Sequence, residues 1–196
     1  MNRLDQQIEF IKEIDKLKEV YRRSYLLSQT RKENSAEHSW HIALMAMLLS
    51  EYSNTEVNSH RVIEMLLVHD IIEIDAGDTY CYDETGYMDK DRREKQAADR
   101  IFNILPKEQA ERLINLWREF EAAETPESKF ANSVDRLMPL IHNFNTSGRS
   151  WKEHGITKKQ VVGRTKKIAE GSETLWKYAE QSILKAVEEG VLKDDL

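Results

Sequence analysis

The chain has 196 residues, 40% hydrophobic and 33% charged, with seven glycines and three prolines, the profile of a folded and mostly helical chain rather than a disordered or fibrous one. A formal net charge of −6 excludes the basic face of a general nucleic-acid binder, so no nucleic-acid polymer is expected as a partner and a phosphate-bearing ligand needs local arginines or a cation. With Cys81 as the one cysteine, no secretory leader pattern and no apolar run of bilayer length, the expectation is a cytoplasmic protein with no membrane segment, folded as a single domain over residues 1–196.

Helical periodicity dominates, and no stretch shows sustained strand alternation. Leu4, Ile8, Ile11, Ile14 and Leu17 predict a first helix over residues 4–21. The polar segment "RRSYLLSQTRKENS" reads as a connector, and Ser35 or Asn34 as the N-cap of a second helix running to Tyr52. That helix is apolar nearly all round ("WHIALMAMLL"), which predicts a central position. A third helix over residues 59–72 ends in "LLVHDIIEIDAGDT", and the following "DAGDTYCYDETGYMDKD" reads as a long loop. Further helices are predicted over 92–105, 106–120, 126–145 and 157–189, the third opened by the cap and proline signal Thr125-Pro126. The fold class is all-α, a compact and irregular multi-helix bundle with a long C-terminal helix.

"LLVHDIIEIDAGDT" places His69, Asp70, Glu73, Asp75 and Asp78 in apolar surroundings. Ionised groups are rarely buried unless paired or bound to metal. Helical spacing lets His69, Asp70 and Glu73 share one cleft, while Asp75 points elsewhere and reads as a helix-end contact. His38, in the first turn of the second helix, is a candidate third donor, with His41 three positions on as its alternative. Asp135 sits between Ala131 and Met138 on a largely apolar helix side, where an unpaired carboxylate is costly, although Arg136 offers a simpler partner. Such nitrogen and oxygen donors suit one divalent transition-metal ion, Mn, Co, Fe, Ni or Zn. Arg31 is a candidate phosphate clamp, because a guanidinium matches phosphate geometry, and Cys81 is a rival thiol nucleophile.

Taken together, "ENSAEHSWHIA", "HDIIEIDAGDT", "ESKFANSVDRLMPLI" and "WKEHGI" resemble the successive motifs of the HD-domain family of metal-dependent phosphohydrolases, in the branch of the 5'-deoxynucleotidases. The resemblance implies an HD-domain bundle, metal ligands at His38, His69, Asp70 and Asp135, and catalytic acids at Glu73 and Asp78. It also implies a phosphate contact at Arg23, although this chain has Ser24 and then Tyr25 where that branch has tryptophan directly after the arginine. On this reading a metal-activated water releases phosphate from (deoxy)ribonucleoside 5'-monophosphates. Glu73 serves the water, and Asp78 serves a sugar hydroxyl or a proton relay. The partner is a small-molecule nucleotide, and relatives of this kind imply a homodimer. The alternative is a nucleotide-sensing HD-domain protein with weak or no hydrolysis.

Overall fold

The computed structural model describes residues 2–83, 85–86 and 88–195; Glu84 and Tyr87, within the expected long loop, lie outside them. Asn2 opens α1 (Arg3–Ile14) through a reciprocal cap with Asp5, and a 3₁₀ turn, Asp15–Glu19, ends the first helical stretch. The expected apolar stripe is only partly used. Phe10 and Leu17 are buried, whereas Leu4, Ile8 and Ile11 face outward.

The connector expected to lack structure instead forms an antiparallel hairpin of β1 (Tyr21–Tyr25) and β2 (Lys32–Asn34). Tyr21 pairs with Asn34 and Tyr25 with Lys32, with a register irregularity between them. Strands this short carry too few alternating positions to register as a period of two, so the hairpin escapes a periodicity reading. It leads directly into α2 (Ser35–Leu49), where Asn34 accepts from the Glu37 amide at 2.9 Å. The helix is not central all round: Ile42, Ala43 and Ala46 are buried, while Trp40, Met47 and Leu48 are exposed.

Asn58 caps α3 (Ser59–Val68), which tightens into a 3₁₀ turn over His69–Ile72 before one more turn, α4 (Glu73–Ala76). Gly77 then takes φ +73°, a left-handed value that favours glycine, and redirects the chain toward Asp78. After the loop come α5 (Lys90–Phe102), α6 (Lys107–Ala122) and α7 (Pro126–Asn145), the last with its predicted boundaries, a Thr125 cap and proline at the first position. α2, α3 and α7 pack against one another around Ile42, Met65, Leu66, Phe130 and Val134.

The expected single C-terminal helix is three pieces after the short α8 (Arg149–His154): α9 (Lys158–Thr165), a 3₁₀ turn Lys166–Glu170, and α10 (Glu173–Glu188). The break sits where the chain crosses α7. A side chain at Gly171 would bring Cβ to 2.5 Å from the Lys129 carbonyl oxygen, and Ser172 restarts the helix by capping the Leu175 amide while donating to the Tyr52 carbonyl at 2.6 Å. Gly171→Ala is therefore expected to destabilise the fold by about 1–3 kcal/mol, the usual scale for a forced backbone shift. Urea unfolding of the variant and the parent measures it, and an unchanged midpoint contradicts the close-approach argument.

Candidate active site

Three elements deliver one donor group each. The first turn of α2 supplies His38, the tightened end of α3 supplies His69, and α7 supplies Asp135. His38 Nε2 lies 3.0 Å from Asp135 Oδ1, and His69 Nε2 lies 3.8 Å from the same oxygen. One donor atom from each of the three falls within 4.8 Å of the others. Asp70 borders the group, with Oδ1 3.0 Å from His69 Nε2. The choice between His38 and His41 is resolved by direction, since His41 groups instead with Glu33 and His142. Arg136, the simpler partner for Asp135, directs Nη1 to Asn132 Oδ1 at 2.5 Å instead.

Proton placement indicates what these donors fit. His69 Nδ1 lies 2.9 Å from the Leu66 carbonyl oxygen, so in the neutral ring Nδ1–H donates there and Nε2 is a bare lone pair. That nitrogen is buried, has no hydrogen-bond partner among the described residues, and faces the carboxylates of Asp70 and Asp135. A proton or a cation has to stand between them. Burial opposes charge on His69, yet Asp70 and Asp135 raise its pKa well above the usual histidine value. His38 shows the same balance: burial and Arg22 lower it, but Asp135 and Glu33 prevail. Asp135 is held well below the usual carboxylate range by both imidazoles, against the effect of burial. With a cation bound, the imidazoles become neutral ligands, and the two-nitrogen, carboxylate donor set fits a divalent transition-metal ion. His38 Nδ1 sits 3.4 Å from Glu33 Oε2, the carboxylate support that commonly orients a ligating imidazole.

The acids beside this centre are set apart by environment. Burial would raise Asp70, but the charges of His69 and Arg22 bring it down to about 2. Glu73 is buried and its pKa is raised well above the usual value, by desolvation first and by Asp70 next. Its Oε2 accepts the Ser35 hydroxyl at 2.6 Å. Asp78 lines the same cavity and is also raised by burial, with Arg22 opposing. Asp75 turns away to Arg100, Nη2 to Oδ1 2.8 Å, as its helical position predicts.

The arginines are distributed differently from expectation. Arg31 is clamped by Glu37, at 2.6 and 2.8 Å, outside the residues that line the cavity; the turn between β1 and β2 aims it along the hairpin surface. Arg23 lines the cavity mouth. Arg22 is the residue that sequence reasoning missed: half-buried, it donates from Nη1 to Asp70 Oδ2 at 2.9 Å and lies 3.8 Å from Glu33 Oε2. Its signal is the alternation of "YRRSY", which turns Arg22 and the buried Ser24 to the protein side. Glu33, buried on β2, was also missed.

The cavity above these groups measures about 430 Å³, and its wall includes Tyr80, Tyr82, Trp151, Arg164 and Lys167. That volume is in the range of small-molecule sites. Cys81 is on the wall too, but burial pushes its thiol pKa up, the opposite of what activates a cysteine nucleophile.

This combination of an interrupted helix bundle and a His, His-Asp, Asp centre is that of an HD-type hydrolase. Residues 14–176 match the HD-domain family profile, and the chain belongs to that family. It is 30% identical over 139 residues to the 5'-deoxynucleotidase HDDC2 of Danio rerio, covering 70% of this chain and 68% of that protein. To the protein of the same name from Homo sapiens it is 30% identical over 135 residues, covering 68% and 65%. The crystal structure of a predicted metal-dependent phosphohydrolase from Magnetospirillum magnetotacticum superposes with a TM-score of 0.94 at 49% identity, over 97% of this chain and 96% of that one. Among the described residues no helix is long and apolar enough to cross a membrane.

The shifted groups dictate how metal-free protein responds to pH. His69 and His38, raised in the folded state, contribute stability that is complete below their unfolded value of about 6.5 and lost as pH rises through the folded values. Asp70 and Asp135, depressed, contribute above an unfolded value of about 3.9 and lose that contribution as pH falls through the folded values. The raised Glu73 adds to the loss on the alkaline side. Chelator-treated protein is therefore expected to be most stable in mildly acidic solution, with a melting midpoint that falls between about pH 6 and 9, while manganese restores more stability at about pH 8 than at about pH 6. Calorimetry with and without metal tests this; a metal-free midpoint that rises over the same interval contradicts the charge arrangement.

Proposed function

We propose that this protein, a metal-dependent phosphohydrolase by family and site, releases phosphate from nucleoside 5'-monophosphates, with deoxy forms preferred. The observation that carries the reading is the buried Nε2 of His69 facing the carboxylates of Asp70 and Asp135 at the floor of a cavity whose wall includes Arg23, Arg164 and Lys167. The relatives' shared name, 5'-deoxynucleotidase, supports the substrate class.

His38, His69, Asp70 and Asp135 would hold one divalent ion, Mn, Co, Fe, Ni or Zn. When bound, such an ion supplies positive charge at a phosphoryl oxygen and brings the pKa of water from about 15.7 toward about 7. Glu73 takes the proton of the attacking water. Burial and the neighbouring Asp70 raise its pKa well above the ordinary carboxylate value, and a cation held beside it would favour the ionised, proton-accepting form. The Ser35 hydroxyl on its Oε2 fixes its orientation. Asp78, presented by the turn at Gly77, holds a sugar hydroxyl or passes the proton to the leaving 5'-oxygen. Arg23 contacts the phosphate at the cavity mouth, and Arg22 keeps Asp70 ionised and in place. A nucleotide sensor without hydrolysis has no need of the two acids, Glu73 and Asp78, beside the donor set.

We further place the protein in the cytoplasm and as a homodimer, the exposed Trp40, Met47 and Leu48 of α2 supplying an apolar face for a second copy. Sedimentation equilibrium is expected to give twice the chain mass, and Leu48→Glu to give the monomer; a parent protein that sediments as a monomer at micromolar concentration refutes the pairing.

Ligand and base are expected to fail in different ways. Asp135→Ala and His69→Ala lose the ion of this centre and phosphate release together, because each removes one of its donors and leaves charge uncompensated. Glu73→Gln keeps its metal while turnover falls by about 10²-fold or more, the scale of a lost general base. Elemental analysis and a phosphate-release assay over nucleoside mono- and triphosphates, run on the same preparations, decide between these roles. Phosphate from triphosphates but never from monophosphates overturns the substrate assignment, and loss of metal from Glu73→Gln makes Glu73 a ligand.

A further inference from the structure

Behind the centre just described, on the far side of the His38 ring, lies a second group of donors that the proposed reaction does not use. Glu33 comes from β2, His41 from the second turn of α2, and His142 from the last turns of α7. One donor atom from each lies within 4.8 Å of the other two. His142 Nδ1 is 3.8 Å from Glu33 Oε2, and the His41 and His142 rings have centroids 6.2 Å apart.

Two of these side chains are almost wholly buried, Glu33 at 1% and His142 at 2% exposure. His142 Nδ1 has no hydrogen-bond partner among the described residues, and Glu33 Oε2, whose nearest polar contact is His38 Nδ1 at 3.4 Å, is directed into the same group. A buried polar atom left without a partner is costly, so an imidazole nitrogen of this kind facing a buried carboxylate calls for a third participant. The spacing is too long for a hydrogen bond between them and slightly open for a shared ion, whose tetrahedral nitrogen and oxygen ligands stand about 3.4 Å apart at bond lengths of about 2.1 Å. Small side-chain rotations close that difference. Two imidazoles and one carboxylate form a borderline-soft set that selects zinc and its neighbours over magnesium or calcium. His41 is only half-buried and leaves an entry from solvent.

We propose that Glu33, His41 and His142 form a second divalent transition-metal site, separate from the one at His38, His69 and Asp135. Glu33 connects them, because the carboxylate that would hold this ion also faces His38 Nδ1 at 3.4 Å. A cation on Glu33 draws off part of the negative charge that supports His38, so filling the second site weakens the hold of the first on its own ion. The competing account is that Glu33 serves only as a hydrogen-bond support for His38, while His142 only fills space in the core.

Zinc titration of metal-free protein, followed by isothermal calorimetry and elemental analysis after gel filtration, separates the two accounts. The parent is expected to take two ions per chain and His41→Asn one; the exposure of His41 makes this variant mild for the fold. Asp135→Ala is also expected to take one, and the double variant none. Cobalt used in place of zinc is expected to give an absorption spectrum in Asp135→Ala that the double variant lacks. A parent that takes one ion, or a His41→Asn variant that binds as many as the parent, overturns the proposal. If instead Asp135→Ala binds two, the second site stands and the assignment of the first is the one that fails.

Discussion

The constraint on which the site depends is the enclosure of the Asp135 carboxylate against two imidazoles. A carboxylate without compensation inside a helix bundle costs several kcal/mol, and the neighbouring Arg136 spends its Nη1 on Asn132. Compensation comes from His38 and His69, or from a cation held among the three. This requirement fixes the direction of α7 relative to α2 and α3, since all three helices must present one polar position to a common point while burying Ile42, Met65, Phe130 and Val134 around it.

Around that point the charges form an ordered sequence. Arg22 holds Asp70, Asp70 and Asp135 face His69, and Glu33 backs His38. Glu73 is left beside Asp70 and Asp78 with a neutral hydroxyl on its Oε2. Its proton affinity is thus set by its neighbours rather than by its own chemistry. Two carboxylates three positions apart, Asp70 and Glu73, behave oppositely because one stands against the His69 ring and Arg22 while the other is buried beside a like charge.

Much of this was legible in the sequence where the signal is local. Thr125-Pro126 marks the start of α7, and an aspartate on that helix's apolar side has few innocent explanations. The His-Asp pair and its helical spacing to Glu73 identified the floor of the cavity. What escaped was decided by tertiary contact. The hairpin is too short to show a period, and its register, not its composition, turns Arg22 inward to Asp70 and leaves Arg23 at the mouth. Gly171 looks like a glycine that a long helix tolerates until the Lys129 carbonyl is seen against it. The apolar outer face of α2 reads as core because hydrophobicity alone does not distinguish a residue covered by its own chain from one left outward. Glu33 carries no motif visible without the fold.

The pairing of His38 with Asp135 spans 97 positions of sequence. Closing so large a loop is entropically slow and brings little return until the intervening helices are in place. The donors are therefore scattered in the nascent or partly folded chain, and a high-affinity centre cannot exist before the bundle closes. If these residues hold an ion as proposed, its selection would fall to the finished protein, with a fixed spacing, rather than to flexible histidines that accept whichever metal binds imidazole most strongly. Topology in this way delays metal choice until geometry can take part in it.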